Sequence, residues 1–169
     1  MTGATADSPN VAFRAHSGPM TDTSEPLARP DAIHHVRLTV TDIARSKDFY
    51  ARLLGTGPAV DFSDQAGDPA VLSDPARIFG GCVFPVGDQL LGLRPVADAA
   101  DRFESTRVGL DHLSLAVGSA QDLRAAAARL DAAGVEHGEV IELSGFGIAI
   151  LSVQDPDDIN LELTAQLSR

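Results

Sequence analysis

Two imidazoles and one carboxylate, His35, His112 and Glu162, stand where they could hold a divalent metal ion. Their placement follows from an internal repeat. The stretch His34-His35-Val36-Arg37-Leu38-Thr39-Val40-Thr41-Asp42-Ile43 aligns with Asp111-His112-Leu113-Ser114-Leu115-Ala116-Val117-Gly118-Ser119-Ala120. Each has a His at the second position and apolar residues at the third, fifth and seventh. Side chains alternate across a strand, so His35, Arg37 and Thr39 share the face opposite Val36, Leu38 and Val40, and His112 lies opposite Leu113, Leu115 and Val117. Near the end of the chain, the same rule puts Asn160, Glu162 and Thr164 opposite Leu161 and Leu163. Two histidines and a carboxylate suit a divalent transition metal, and three protein ligands leave positions open for substrate, water or dioxygen. That is a catalytic arrangement, not a structural one.

Other residues are placed by the same pattern. His34 falls on the face opposite His35 and is left out of the ligand set. His137, in a polar segment before a strand, is expected in solvent, and His16 lies in the N-terminal tail. Arg37 shares a face with His35 and is a candidate contact for a substrate anion, as is Arg94, through bidentate hydrogen bonds. Ser114 and Asn160 could support the ligands. Cys82, in an apolar run, reads as a small buried side chain.

The elements that must position these residues come in the same order twice. The first repeat predicts a strand over Ile33 to Val40 and a helix N-cap at Asp42. An apolar stripe through Ile43, Ser46, Phe49 or Tyr50, Leu53 and Leu54 ends at Gly55. Strands follow at Ala59 to Ser63, Ile78 to Val86 and Leu90 to Val96, the last two joined by a Gly87-Asp88 turn. A polar Gly/Asp/Pro stretch, about 64–77, separates the first two of these and shapes the mouth of the site. The second repeat predicts a strand over Leu110 to Val117 and a helix opened by Ser119 with Asp122 and closed by Gly134. Its further strands are Glu139 to Leu143, Ile148 to Val153 and Ile159 to Thr164. The expected organisation is a disordered tail over 1–31, a first βαβββ module over 32–98, a connector over 99–109 and a second βαβββ module over 110–166. The fold class is α+β, with the two modules pairing into an open, cleft-forming eight-stranded mixed sheet, because neither alone would bury both faces of its strands.

Composition excludes several classes. The 169 residues carry a formal net charge of -11, which opposes binding to phosphate backbones and anionic lipid surfaces. No apolar run approaches the roughly 18 residues of a membrane span, and the N-terminus lacks a charged-then-apolar signal pattern. Cys82 is the only cysteine, so no intramolecular disulfide forms and a reducing, cytoplasmic setting is expected. Met20 offers a second possible start.

The residues also resemble the vicinal oxygen chelate superfamily, which includes glyoxalase I, bleomycin- and fosfomycin-resistance proteins, methylmalonyl-CoA epimerase and extradiol dioxygenases. The resemblance runs from Ile33 to Thr164. It rests on His-Val-x-Leu-x-Val-x-Asp with Phe-Tyr-x-x-x-Leu-Gly (His35 to Asp42, Phe49 to Gly55), Asp-His-Leu-x-Leu-x-Val (Asp111 to Val117) and Asp-Pro-Asp-x-x-x-Leu-Glu-Leu (Asp155 to Leu163). It implies metal ligands at His35, His112 and Glu162, the residues chosen by facing. It also implies a fourth ligand in the glyoxalase I and epimerase branches, at a position that here holds Gly92. The remaining two-His, one-Glu set is similar to that of the dioxygenase and fosfomycin-resistance branches. The tyrosine that ring-cleaving enzymes carry near the end of the penultimate strand is missing, and the sole lysine, Lys47, is on the first helix.

The resulting expectation is a metal-dependent enzyme acting on an oxygen-bearing small molecule by dioxygenase-like or lyase/transferase chemistry. The ion would be Fe(II) or Mn(II), with Zn(II) or Ni(II) as alternatives, and the chain would form a homodimer. The rival expectation is a non-catalytic drug-sequestering protein of the bleomycin-resistance type; a vestigial regulatory subunit is a third.

Overall fold

Strand β1 (His35–Thr39) buries Leu38 and leaves His35, Arg37 and Thr39 exposed, as alternation requires. Asp42 then accepts hydrogen bonds from the Ala44 and Arg45 amides and opens helix α1 (Ile43–Leu54), which stops at Gly55 in the left-handed conformation (φ 69°). Strands β2 (Val60–Asp61), β3 (Cys82–Val86) and β4 (Gln89–Arg94) complete the first half, with Gly87 (φ 57°) in the β3–β4 turn. In the second half, β5 (Leu113–Val117) leads through an N-cap at Ser119 into helix α3 (Ala120–Ala133), again closed by a left-handed glycine, Gly134. Strands β6 (Ile141–Leu143), β7 (Ile148–Gln154) and β8 (Asn160–Gln166) follow. This computed structural model describes residues 27–167. Residues 27–32 carry no helix or strand, and the chain from Ile33 onward forms one compact unit. Most of the expected tail, with His16 and Met20, lies outside the described residues.

The two halves have the same topology. Hydrogen bonding orders the strands β1-β4-β3-β2 in one sheet and β5-β8-β7-β6 in the other, two four-stranded sheets in place of the expected single eight-stranded one. In each sheet the first strand joins the last in parallel and the rest run antiparallel. The halves are united through side chains instead of a shared ladder. Leu38, Phe84, Leu91 and Leu93 from one sheet belong to the same buried cluster as Leu123, Leu151, Leu161 and Leu163 from the other half. Burying each such side chain contributes about 1.5–3 kcal/mol. Among the described residues, no helix is long and apolar enough to cross a membrane.

Polar bonds at the junction come from the turn between β7 and β8. Asp157, 3% exposed, accepts hydrogen bonds from the Thr41 amide (2.9 Å), from the Thr41 hydroxyl (2.5 Å) and from Arg45. Asp155, also buried, accepts from the Asp157 and Ile159 amides of its own turn and from the Tyr50 hydroxyl at 3.0 Å. Burial pushes the Asp155 carboxyl up, partly opposed by those amide bonds, and pushes the Tyr50 phenol far up.

The stretch before β3 departs most from the sequence reading. In place of a loop it forms a 3-10 turn (Ser63–Gln65), the short helix α2 (Pro69–Leu72) and a second 3-10 segment (Pro75–Gly80). Asp68 and Asp74 each cap their segment, with a proline directly after. The predicted strand start at Ile78 is displaced to Cys82 because Ile78, Phe79 and Gly80 all have left-handed backbone (φ 44°, 59° and 67°).

Candidate functional site

The ladder registers make the two halves equivalent at the residues of interest. Arg37 pairs with Gly92 across β1 and β4, and Ser114 pairs with Glu162 across β5 and β8. His35 and His112 each lie two residues before the first member of their pair. The carboxylate of the second half therefore has Gly92 as its counterpart in the first.

Each candidate ligand is oriented by a neighbour. The His112 Nδ1 meets Asp111 Oδ2 at 2.6 Å, and the His35 Nδ1 meets the His34 Nδ1 at 3.0 Å. In both cases the residue before the histidine engages Nδ1. With the proton of His112 on Nδ1, its Nε2 keeps a free lone pair, the form a metal ligand needs. Glu162 Oε1 accepts from the Ser114 hydroxyl (3.0 Å) and the Thr164 hydroxyl (2.8 Å), and those two hydroxyls are 2.6 Å apart. These bonds fix the carboxylate through one oxygen. Asn160 donates to the Asp111 carbonyl at 3.3 Å, steadying the segment that precedes His112.

The donors thus suit a divalent ion in type and preparation. The structure places His112 directly before β5 and Glu162 in the neighbouring β8, and leaves His35 on the other sheet. Among the described residues, no three His, Cys, Asp or Glu side chains are gathered closely enough to hold an ion.

His137 is a correction. Its side chain is only 12% exposed, bonded to the Gly138 carbonyl (2.7 Å) and Asp131 (3.2 Å), because an isolated bridge to Val153 draws this segment against β7. Cys82 is fully buried, and burial pushes its thiol up to about 12.

Arg37 has a setting the sequence did not reveal. It lies against Gly92, where an added Cβ would meet the Arg37 Nε at 3.3 Å. Its guanidinium carbon is 5.6 Å from the centre of the Phe79 ring, and that of Arg94 is 4.1 Å from the same centre. Arg37 also lines a pocket of about 360 Å³ of mixed charge, with Asp101, Arg102, Glu104, Arg107 and Asp157. A second cavity, about 410 Å³ and mostly apolar between α1 and α3, contains none of the candidate ligands.

Comparison with known proteins agrees with this architecture. The family model described as "Glyoxalase/Bleomycin resistance protein/Dioxygenase superfamily" matches residues 32–163. Among solved structures, a glyoxylase/bleomycin resistance protein/dioxygenase domain from Frankia sp. EAN1pec is 28% identical with a TM-score of 0.60, covering 82% of this chain and 93% of its own. A glyoxalase/dioxygenase from Nostoc punctiforme is 18% identical (TM-score 0.60; coverage 86% and 100%). A lactoylglutathione lyase from Agrobacterium tumefaciens is 18% identical (TM-score 0.57; coverage 82% and 96%). The last two likenesses bear on the fold alone. Comparison with curated proteins finds no match.

Proposed function

Because the chain belongs to the Glyoxalase/Bleomycin resistance protein/Dioxygenase superfamily, we propose that it is a metal-dependent enzyme whose ligands are His35, His112 and Glu162. The observation that carries this reading is the matched preparation of the ligands. The side chain before each histidine engages its Nδ1, and Ser114 and Thr164 hold one oxygen of Glu162. Where the histidine donates its Nδ1 proton, hydrogen bonds of this kind orient metal ligands and raise their basicity. A bound divalent ion would supply Lewis acidity toward an oxygen of a small molecule, in dioxygenase-like or lyase/transferase chemistry. Arg37 would hold an anionic group of that molecule.

The functional unit in this reading is a homodimer. His35 sits on one sheet, and His112 with Glu162 on the other; pairing the first half of one copy with the second half of its partner would complete two symmetric sites. The test is metal analysis of purified, reconstituted wild type, His35→Ala, Glu162→Ala and a refolded mixture of the two variants. Wild type should hold one ion per chain and each variant should lose it. The mixture should recover about a quarter of the wild-type metal, because only mixed dimers contain an intact site, one of two. Recovery of none, with each variant folded, assigns the site to a single chain. A folded wild type that takes up no metal refutes the enzyme reading, and tight ligand binding that survives chelation would favour a sequestering protein instead.

A further inference from the structure

Two positive charges converge on the open face of the first sheet without a negative partner. The chain has 24 acidic against 13 basic residues, and most of its described arginines have found a carboxylate, among them Arg45, Arg77, Arg102, Arg107 and Arg124. Among the described residues, no carboxylate stands within ion-pair distance of Arg37 or Arg94. Both instead pack on the Phe79 ring. The Arg94 Nε is buried and has no hydrogen-bond partner, although a buried charged donor ordinarily has one.

The backbone is arranged to make this possible. Ile78 and Phe79 hold left-handed conformations that cost non-glycine residues free energy, more so the β-branched Ile78. The residue so placed, Phe79, supplies the aromatic face on which both guanidinium groups rest. Gly92 supplies the room: Arg37 lies over it, in the place that Glu162 takes in the second half. One half thus carries a carboxylate where the other carries an arginine side chain. Two unneutralised guanidinium groups on one ring repel each other, and a bound anion would turn that repulsion into attraction.

We propose that Arg37 and Arg94, packed on Phe79 beside Gly92, form a receptor for the oxyanion group, carboxylate or phosphoryl, of a small molecule. The inference deepens the reading given under Proposed function by naming the class of ligand, and it rests on that reading only for the ligand's fate, not for its binding. Planar guanidinium groups bind either oxyanion through paired N–H donors, which a lysine could not do in the same geometry.

Isothermal titration calorimetry on the full-length, metal-free protein in low-chloride buffer tests it, with malonate and inorganic phosphate as probes. Wild type should bind at least one of them. Arg37→Gln, at an exposed position that leaves folding intact, should weaken that binding by about tenfold or more, as should Arg94→Gln. Preference for malonate identifies a carboxylate ligand, and preference for phosphate a phosphoryl one. Failure of wild type to bind either probe, or equal binding by wild type and both folded variants, overturns the proposal. Metal content measured on a separate, metal-reconstituted Arg37→Gln sample should equal that of wild type treated in the same way, so loss of the anion site and loss of the metal site are read separately.

Discussion

Replacing Asp157 with alanine removes the polar clamp between the two halves, and its cost can be worked from the contacts. The carboxylate is 3% exposed and accepts from the Thr41 amide and hydroxyl, at 2.9 and 2.5 Å, and from Arg45. A hydrogen bond to a charged group is worth about 1.5–3 kcal/mol, and an orphaned buried amide carries its own desolvation penalty of similar size. The Arg45 side chain is 41% exposed, so solvent screening limits its pair to about 1 kcal/mol at most. Since the bonds share one acceptor and do not add in full, Asp157→Ala should lose about 3–5 kcal/mol, a large part of a typical domain's stability. Asp157→Asn keeps one carbonyl oxygen for the Thr41 amide and should recover roughly half of that loss. Urea unfolding followed by far-ultraviolet circular dichroism measures both. A change within about 0.5 kcal/mol for Asp157→Ala, the size of an ordinary surface substitution, would refute the clamp.

Asp155 predicts a pH dependence. Its folded carboxyl titrates above the ordinary value of 3.8, so between 3.8 and its folded value the native state binds more protons than the unfolded chain. Wild-type stability minus that of Asp155→Asn should therefore be greatest at and below 3.8 and fall as pH rises through the window; a difference that stays flat or climbs contradicts the assignment. At Gly81, an added Cβ would stand 2.0 Å from the Leu93 carbonyl oxygen, a backbone atom that cannot step aside. Gly81→Ala should cost about 3 kcal/mol or abolish folding, and a thermal melt matching wild type would exclude that close approach.

Much of the fold is legible because it rests on short-range rules. Asp42, Gly55, Ser119 and Gly134 cap the two long helices where side-chain chemistry predicts, and the alternation that separates His35 from Leu38 recurs at Glu162 and Leu161. Asp68-Pro69 and Asp74-Pro75 carried the same signal, a cap followed by proline at the first helical position, inside a stretch read as loop. The left-handed run at Ile78 and Phe79 leaves no such trace, since an apolar pair before Cys82 reads as strand. With it went the ring beneath Arg37 and Arg94, which depends on where a distant segment folds back. The buried bonds of Asp155 and Asp157 are hidden for the same reason: their partners, Tyr50 and Thr41, lie 105 and 116 residues away. The candidate ligands could be named from the sequence, but their spatial relation depends on how the halves associate.

The parallel pairing of β1 with β4, and of β5 with β8, sets an order for synthesis. Neither half can close until its last strand exists, whereas the β3–β4 and β7–β8 ladders form between near neighbours in the chain. The first half leaves the ribosome complete while the second is still being made. Until the Asp155-Pro156-Asp157 turn arrives, the Tyr50 hydroxyl and the Thr41 amide wait for acceptors that lie 105 and 116 residues further along the chain. For that interval the nascent chain exposes the seam it will later bury, and the turn that seals it is also the segment leading into Glu162.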